Sequence, residues 1–382
     1  VQPADGNHLE ESGGDGGMRY TIGQLAEIID GDRGKNYPKQ DEFYPQGYCL
    51  FLNTGNVTKE GFIFEENQFI MKEKDEALRK GKLKRGDIVY TTRGTVGNAG
   101  YYNSSVPYEN VRINSGMVIL RSNGEIVDAR FLYQILKSEY YRPYFKQYCT
   151  GSAQPQLPIK NFSQIYLNVP DIKTQHRIAD ILSVYDNLIE NNQKQIKLLE
   201  EAAQRLYKEW FVDLRFPGHE NTKIVDGVPE GWSRGLLKEL ISVNYGKDHK
   251  KAPDDGNIPV YGSGGLMRKC NKSLFSGEAV LIPRKGSLNN IMYVDETFWT
   301  VDTMFYATMK QPHTAVFVYF FVKAFDMYSM NIGAAVPSMT AKILDAMDVV
   351  IPDKETLEKF DKLTKTYFNK IKTLQGQNER LK

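Results

Sequence analysis

Thr91, Thr92, Arg93 and Thr95 crowd the stretch TTRGTVGNAG, and Arg284, Lys285, Ser287, Asn289 and Asn290 crowd PRKGSLNN. These groups donate and accept hydrogen bonds without themselves reacting, which is the chemistry of recognition. Arg can bridge O6 and N7 of guanine, Asn and Gln can pair with adenine, and hydroxyls or Lys can hold phosphates. Glycines between them let backbone amides approach a strand closely. Gln154, Gln156 and Ser338 extend the set, as do Arg33 and Lys35 in DRGKNY and Lys247, Lys250 and Lys251 in GKDHKK. The same residues also have an architectural reading. Gly86-Asp87 and Gly277-Glu278 would then be plain turns, and Arg93 and Arg284 buried ion-pair partners that fix each fold.

Signatures of catalysis are missing from the sequence. It has no G-x-x-x-x-G-K-[ST] loop, no G-x-G-x-x-G opening a helix, and no Pro-Pro dipeptide such as an adenine methyltransferase motif would contain. His8, His176, His219, His249 and His313 are scattered, with no H-x-x-x-H pair for a metal. PDKETLEK (352–359) faintly suggests a nuclease carboxylate cluster. Its counterpart PDIKTQHR lacks Glu at both equivalent places, and acidic residues are ordinary in the first turn of a helix. Cys49, Cys149 and Cys270 have no CxxC spacing, so neither a disulfide framework nor a zinc site is expected, and a reducing cytoplasm is.

A repeat must position the recognition groups. GSAQPQLPIKNFSQIYLNVPD (151–171) returns as GAAVPSMTAKILDAMDVVIPD (333–353), aligning Gly151 with Gly333, Ala153 with Ala335, Pro155 with Pro337, Lys160 with Lys342 and Asp171 with Asp353. YTIGQLAEIIDG resembles WSRGLLKELISV, matching Gly23 to Gly235 and Leu25 to Leu237. GDIVYTTRGTVGNAGYY resembles GEAVLIPRKGSLNNIMYV, matching Gly86, Val89 and Arg93 to Gly277, Val280 and Arg284. YCLFLNTGNV has a weaker partner in NIPVYGSGGL. Each half thus predicts a short helix, strands ending in polar Gly loops, an apolar helix, and a strand closing on Pro-Asp.

After each Pro-Asp the apolar period changes to three and four. Ile178, Ile181, Tyr185, Leu188, Leu199 and Leu206 mark one helix stripe, interrupted by polar Asn192 and Gln195; Phe360, Leu363, Tyr367, Ile371 and Leu374 mark the other. Asp171 or Thr174 is the expected N-cap. About 35 residues make a rod of roughly 50 Å. The expected fold is α+β: two pseudo-symmetric globular α/β domains at 18–170 and 216–352, with long helices at 171–215 and 353–382 paired antiparallel as a coiled-coil rod. Each helix folding back on its own domain is the alternative.

The bulk numbers agree with a folded two-domain chain. Its 382 residues are 41% hydrophobic and 25% charged, with 49 basic and 47 acidic side chains giving a formal net charge of +2. That average does not demand nucleic acid, which needs only a local basic surface. No stretch approaches the ~20 apolar residues of a membrane span. Residues 1–17 are Gly-rich and polar, and are expected to be a flexible leader with Met18 the natural start. The second helix ends at Lys382 with no stop signal, as if cut short.

GDIVYTTRGTVGNAG, GSAQPQLPIKNFSQIYLNVPD and the helix QHRIADILSVYDNLIENNQKQIKLLEEAAQRLYKEWF together resemble the specificity (S) subunit of Type I restriction-modification systems, across nearly everything from Met18 to Lys382. The resemblance implies two target-recognition domains, each reading one half of a split double-stranded DNA target. It also implies helices that set the gap and dock two modification (methyltransferase) subunits, with Tyr207, Trp210 and Phe211 as exposed-aromatic candidates; the alternative role of these three is to cap the hydrophobic seam of the rod. S-adenosylmethionine is then expected in the modification subunits, ATP and Mg in restriction subunits, and no cofactor or catalysis in this chain. The specificity chain of a related restriction system, an enzyme whose catalytic part lies elsewhere, and a two-domain protein-interaction scaffold without DNA binding remain the rival readings.

Overall fold

Runs of β-branched and aromatic residues bounded by Gly and Asn form strands here, and periods of three and four form helices. A computed structural model describes residues 17–151, 154–330 and 338–381. The chain divides into two units, 1–188 and 189–382. The expected leader and the pairs Ala153–Ala335, Gly151–Gly333 and Pro155–Pro337 fall wholly or partly outside the described residues.

In the first unit the principal strands are β1 (Met18–Thr21), β2 (Ala26–Asp30), β3 (Cys49–Leu52), β4 (Ile88–Thr91), β5 (Ala99–Tyr101), β6 (Val111–Ile113) and β7 (Met117–Ser122). Helix α1 (Ala129–Lys137), strand β8 (Tyr166–Val169) and helix α2 (Ile172–Tyr207) follow. An antiparallel sheet runs β2-β7-β4-β5, β3 lies parallel to β6, and β1 pairs with β8. Strand β4 is buried on both faces. Ile88 and Tyr90 join a core with Leu132 and Phe162, while Val89 joins another with Leu50 and Ile119.

The second unit repeats this plan. Its principal strands are β9 (Ser233–Leu236), β10 (Ile241–Tyr245), β11 (Ile258–Gly262), β12 (Gly265–Cys270), β13 (Phe275–Pro283), β14 (Met292–Thr300) and β15 (Met304–Met309). Helix α3 (Ala315–Lys323), strand β16 (Asp348–Ile351) and helix α4 (Lys354–Leu381) complete it. One sheet runs β10-β15-β13-β14-β11-β12, with β11 parallel to β14, and β9 pairs with β16. The plan repeats, but two sequence alignments slip.

Thr91 pairs with Met117 as Pro283 pairs with Met304, so Ile88 and Tyr90 correspond to Val280 and Ile282, and Arg93 to Lys285. The match of Val89 to Val280 and Arg93 to Arg284 is off by one residue. A one-residue slip exchanges the two faces of a strand. Both faces of β4 and β13 are apolar here, so hydrophobic pattern could not fix the register. The other slip is three residues, close to one helical turn. The amide of Ile22 donates to the Ile165 carbonyl as that of Leu237 does to Met347, which pairs Ile22 with Leu237 and Leu25 with Leu240. Gly23 and Gly235 are therefore not counterparts.

Each Pro-Asp caps its helix in the same way. The Thr174 amide and hydroxyl donate to the Asp171 carboxylate at 3.1 and 2.6 Å, and those of Thr356 donate to Asp353 at 3.0 and 2.7 Å. Residues 172–188 of α2 lie along α1, with Asp180 accepting from Arg130 at 2.6 Å and Asp186 from Lys137 at 2.5 Å. Ile178 packs against the core there, but Ile181, Tyr185 and Leu188 are 60%, 46% and 43% exposed.

In the second unit the remainder of α2 runs antiparallel to α4. Asn192 meets Asn378 near one end, and Tyr207 meets Phe360 near the other, with ring centroids 6.4 Å apart. Phe360, Ile371 and Leu374 are buried, Tyr367 and Leu206 pack against the core, Leu199 is half-buried, and Leu363 is exposed. Helix α4 also lies on its own sheet, Phe368 against Tyr293 at 4.7 Å and Lys365 bonded to Glu278 at 3.2 Å. Pairing and folding back thus occur together. Among the described residues, no helix is long and apolar enough to cross a membrane.

Candidate nucleic-acid interface

Five loops of the first unit meet at one end of its sheet. Gly31, just past β2, lies so close to the Asn114 carbonyl that a Cβ would collide with it. Nearby, Arg33 reaches Asp30 at 3.1 Å and the Ser115 carbonyl at 3.4 Å. The Asp32 carboxylate accepts the amides of Arg33 and Arg79 at 2.7 and 2.6 Å, fixing this loop. Burial alone would push that carboxyl up, but the amides of Arg79, Arg33 and Lys80 hold it below the ordinary carboxylate range. The amides of Thr92 and Arg93 both donate to the Gly116 carbonyl, at 2.9 and 3.1 Å. Thr54, past the end of β3, lies against Gly94 and Gly116.

The repeated segment closes this cluster. Gln156 pairs by backbone with Arg93, and the Leu157 amide donates to the Thr92 carbonyl at 2.9 Å. The second unit does the same with different residues: Lys285 pairs with Ser338, and the Met339 amide donates to Arg284 at 2.9 Å. Gly246 there touches the Val301 carbonyl as Gly31 touches that of Asn114. The amide of Lys247 donates to Thr300 at 2.9 Å, and its carbonyl accepts the Trp299 indole at 3.1 Å. Lys247 is thereby fixed beside loop 301–303, which also holds Arg284 through the Thr303 carbonyl at 2.9 Å.

The sequence-derived candidates divide by what their side chains touch. Arg93, Thr95, Gln154, Gln156, Lys35, Lys247, Lys250, Lys251, Lys285 and Ser287 are exposed around these two clusters, and Ser338 is half-buried. Others serve the loops themselves. The Thr91 hydroxyl donates to the Thr95 carbonyl at 2.5 Å and accepts the Asn98 amide at 2.9 Å, and the Thr92 hydroxyl donates to Gly116 at 3.1 Å. Turning a buried strand leaves carbonyls that need donors, and these hydroxyls supply them.

Asn289 bonds Asp326 at 3.0 Å and the Met327 amide at 2.8 Å, while Asn290 bonds the Ser263 carbonyl at 2.9 Å. Arg284 turns inward more than its neighbour Lys285. It is half-buried, its guanidinium 5.2 Å from the Tyr245 ring and 5.4 Å from Phe305, and it bonds the Asp302 carbonyl at 3.0 Å. The expected exposure of Tyr207, Trp210 and Phe211 is also corrected. Tyr207 and Trp210 are buried, and Phe211 packs among them against Phe317 and Phe360 at 4.9 Å each. Large aromatics at a helix end bury more apolar surface in a core than on a seam.

Sequence reasoning missed Asn53, Thr54, Asn114 and Ser115 in the first cluster, and Tyr245, Ser263 and Asp302 in the second. Their only signal was position, since each lies at or just past a strand end where an apolar run breaks into polar residues.

A model of the type I restriction modification DNA specificity domain matches residues 16–201 and 229–382. Over 185 residues the chain is 31% identical to the Type I restriction enzyme HindI specificity subunit of Haemophilus influenzae, a match covering 48% of this chain and 40% of that protein's length. Over 347 residues it is 23% identical to the MjaIX specificity subunit of Methanocaldococcus jannaschii, covering 79% and 76%. Its fold resembles that of the crystallised Type I restriction-modification S subunit of M. genitalium, with a TM-score of 0.59 at 17% identity over 97% of this chain and 94% of that one.

Proposed function

Because the chain belongs to the type I restriction-modification DNA specificity family, we propose that each of its units reads one half of a split, asymmetric sequence in double-stranded DNA. The observation that carries this reading is a polar loop cluster built twice on one backbone plan with different side chains. Arg93 with Gln156 occupies the place in the first unit that Lys285 with Ser338 occupies in the second. An unchanged frame with changed tips is what two readers of different bases require. Exposed Arg, Gln and Ser can address base edges in the major groove. Lys35, Lys247, Lys250 and Lys251 stand where phosphates would pass, and such contacts make affinity fall with salt.

In this proposal the chain does no chemistry of its own. Helices α2 and α4 set the gap between half-sites and carry two modification subunits. Ile181, Val184, Tyr185 and Leu188 offer an exposed apolar surface on α2 for that docking. S-adenosylmethionine belongs to those subunits, ATP and Mg to restriction subunits, and the assembly to the cytoplasm where the DNA is.

The test is methylome sequencing of a host carrying the chain with its modification subunits, paired with duplex binding by the purified complex across a salt series. The expected result is a bipartite methylated motif and steeply salt-dependent binding. Methylation without a split motif, or binding indifferent to salt, would overturn the reading.

A further inference from the structure

We propose that Leu266 and Met267 form an apolar contact for the 5-methyl group of a thymine in the half-site read by the second unit. The proposal rests on the DNA-reading function above and names one chemical feature of that target.

Ser263 lies against Gly286 in the second unit as Thr54 lies against Gly94 in the first, and Gly94 and Gly286 hold the same place in their loops. The first unit presents the polar turn Asn53–Asn56 there. The second presents the β11–β12 hairpin, whose tip carries two adjacent apolar side chains, each 54% exposed. This tip is fixed rather than loose. Asn290 holds the Ser263 carbonyl at 2.9 Å, and the Met267 thioether lies over Gly262, itself 3.6 Å from Val301 when a Cβ is placed on it. Arg268 is tied to Asp254 and to the Ala252 carbonyl at 2.8 Å.

Exposed Lys247, Lys250, Lys251 and Lys285 share this end of the unit, so a phosphate backbone drawn to them would bring base edges to the hairpin tip. Thymine is the base that offers an apolar group in the major groove. Two exposed hydrophobes flanked by cations suit it, whereas the polar turn of the first unit does not.

The experiment uses the complex with its modification subunits and a duplex bearing its methylated motif. Each thymine of both half-sites is replaced singly by deoxyuridine, which removes only the methyl. One replacement should weaken binding about fourfold, the worth of a single buried carbon. The Leu266→Ser, Met267→Ser double variant should lose that sensitivity at the same position and at no other. Its thermal midpoint should fall only slightly, because both side chains are more than half exposed.

Insensitivity to every replacement, a half-site made only of G·C pairs, or a double variant that keeps the wild-type pattern would each overturn the proposal. A wild-type complex with no preference for its motif would sink both this inference and the reading beneath it, which separates the two failures.

Discussion

Lys285 stands in the second unit where Arg93 stands in the first. Each follows the end of a central strand by two residues, and each is bridged by the returning segment, through Ser338 and Gln156 respectively. The neighbouring Arg284 instead turns inward onto Tyr245 and Phe305.

Replacing Arg93 by Ala should therefore cost roughly 1–3 kcal/mol of binding and relax discrimination in one half-site only, while Lys285→Ala should act on the other half-site alone. Arg284→Ala should behave differently. Losing its ring contacts and its bond to the Asp302 carbonyl should destabilise the second unit by about 1–3 kcal/mol. Thermal unfolding beside binding to singly mismatched duplexes distinguishes these outcomes; equal loss at both half-sites for Arg93→Ala would assign it to folding.

Asn192 donates to Asn378 at 2.9 Å between two helices, and both side chains are buried. Asn192→Ala strands a buried amide and should cost about 1–3 kcal/mol in chemical denaturation. Changing both to Leu should recover that loss and more, at the expense of a fixed helix register. A double change as damaging as the single one would contradict this.

Acid should weaken the anchoring of α4. Burial would raise the Asp353 carboxyl, yet hydrogen bonds from Thr356 and from the Trp232 indole, at 2.9 Å, hold it below the ordinary range. A depressed folded-state pKa gives stability that is present above about pH 4, where the unfolded carboxylate titrates, and lost as pH falls through the folded value. Asp353→Asn keeps a capping oxygen without the charge. Its thermal midpoint should lie below wild type near neutrality, and the difference should shrink as pH drops from about 6 to about 3.

Seven residues inserted at matched positions of α2 and α4 should lengthen the helices by about 10 Å, or about three base pairs at 3.4 Å each. The methylated motif should then carry a correspondingly longer gap. A motif unchanged in spacing would refute the role of the helices as a ruler.

Repetition was legible in the sequence because the capping Asp171 and Asp353, and the strands before them, keep one offset throughout. The central strands were harder. With Ile88, Val89 and Tyr90 all buried, two registers look equally apolar, and the sequence aligns Arg93 with Arg284 as readily as with Lys285. The purposes of Thr91 and Asn290 were also hidden, since a side chain that completes a loop and one that meets a ligand have the same composition. Tyr207, Trp210 and Phe211 continue the helical apolar pattern, and only packing against α3 and α4 reveals them as core.

At Gly31 and Gly246 the backbone passes too near a neighbouring carbonyl to admit even a methyl, yet Arg33 and Lys247 sit one or two residues on with solvent around them. Tolerance to mutation should consequently swing from nil to nearly complete within a few ångströms of chain. A directed-evolution library seeking new sequence preference would do best to leave those two glycines and the buried Asp32 alone and diversify Arg33 and Lys247.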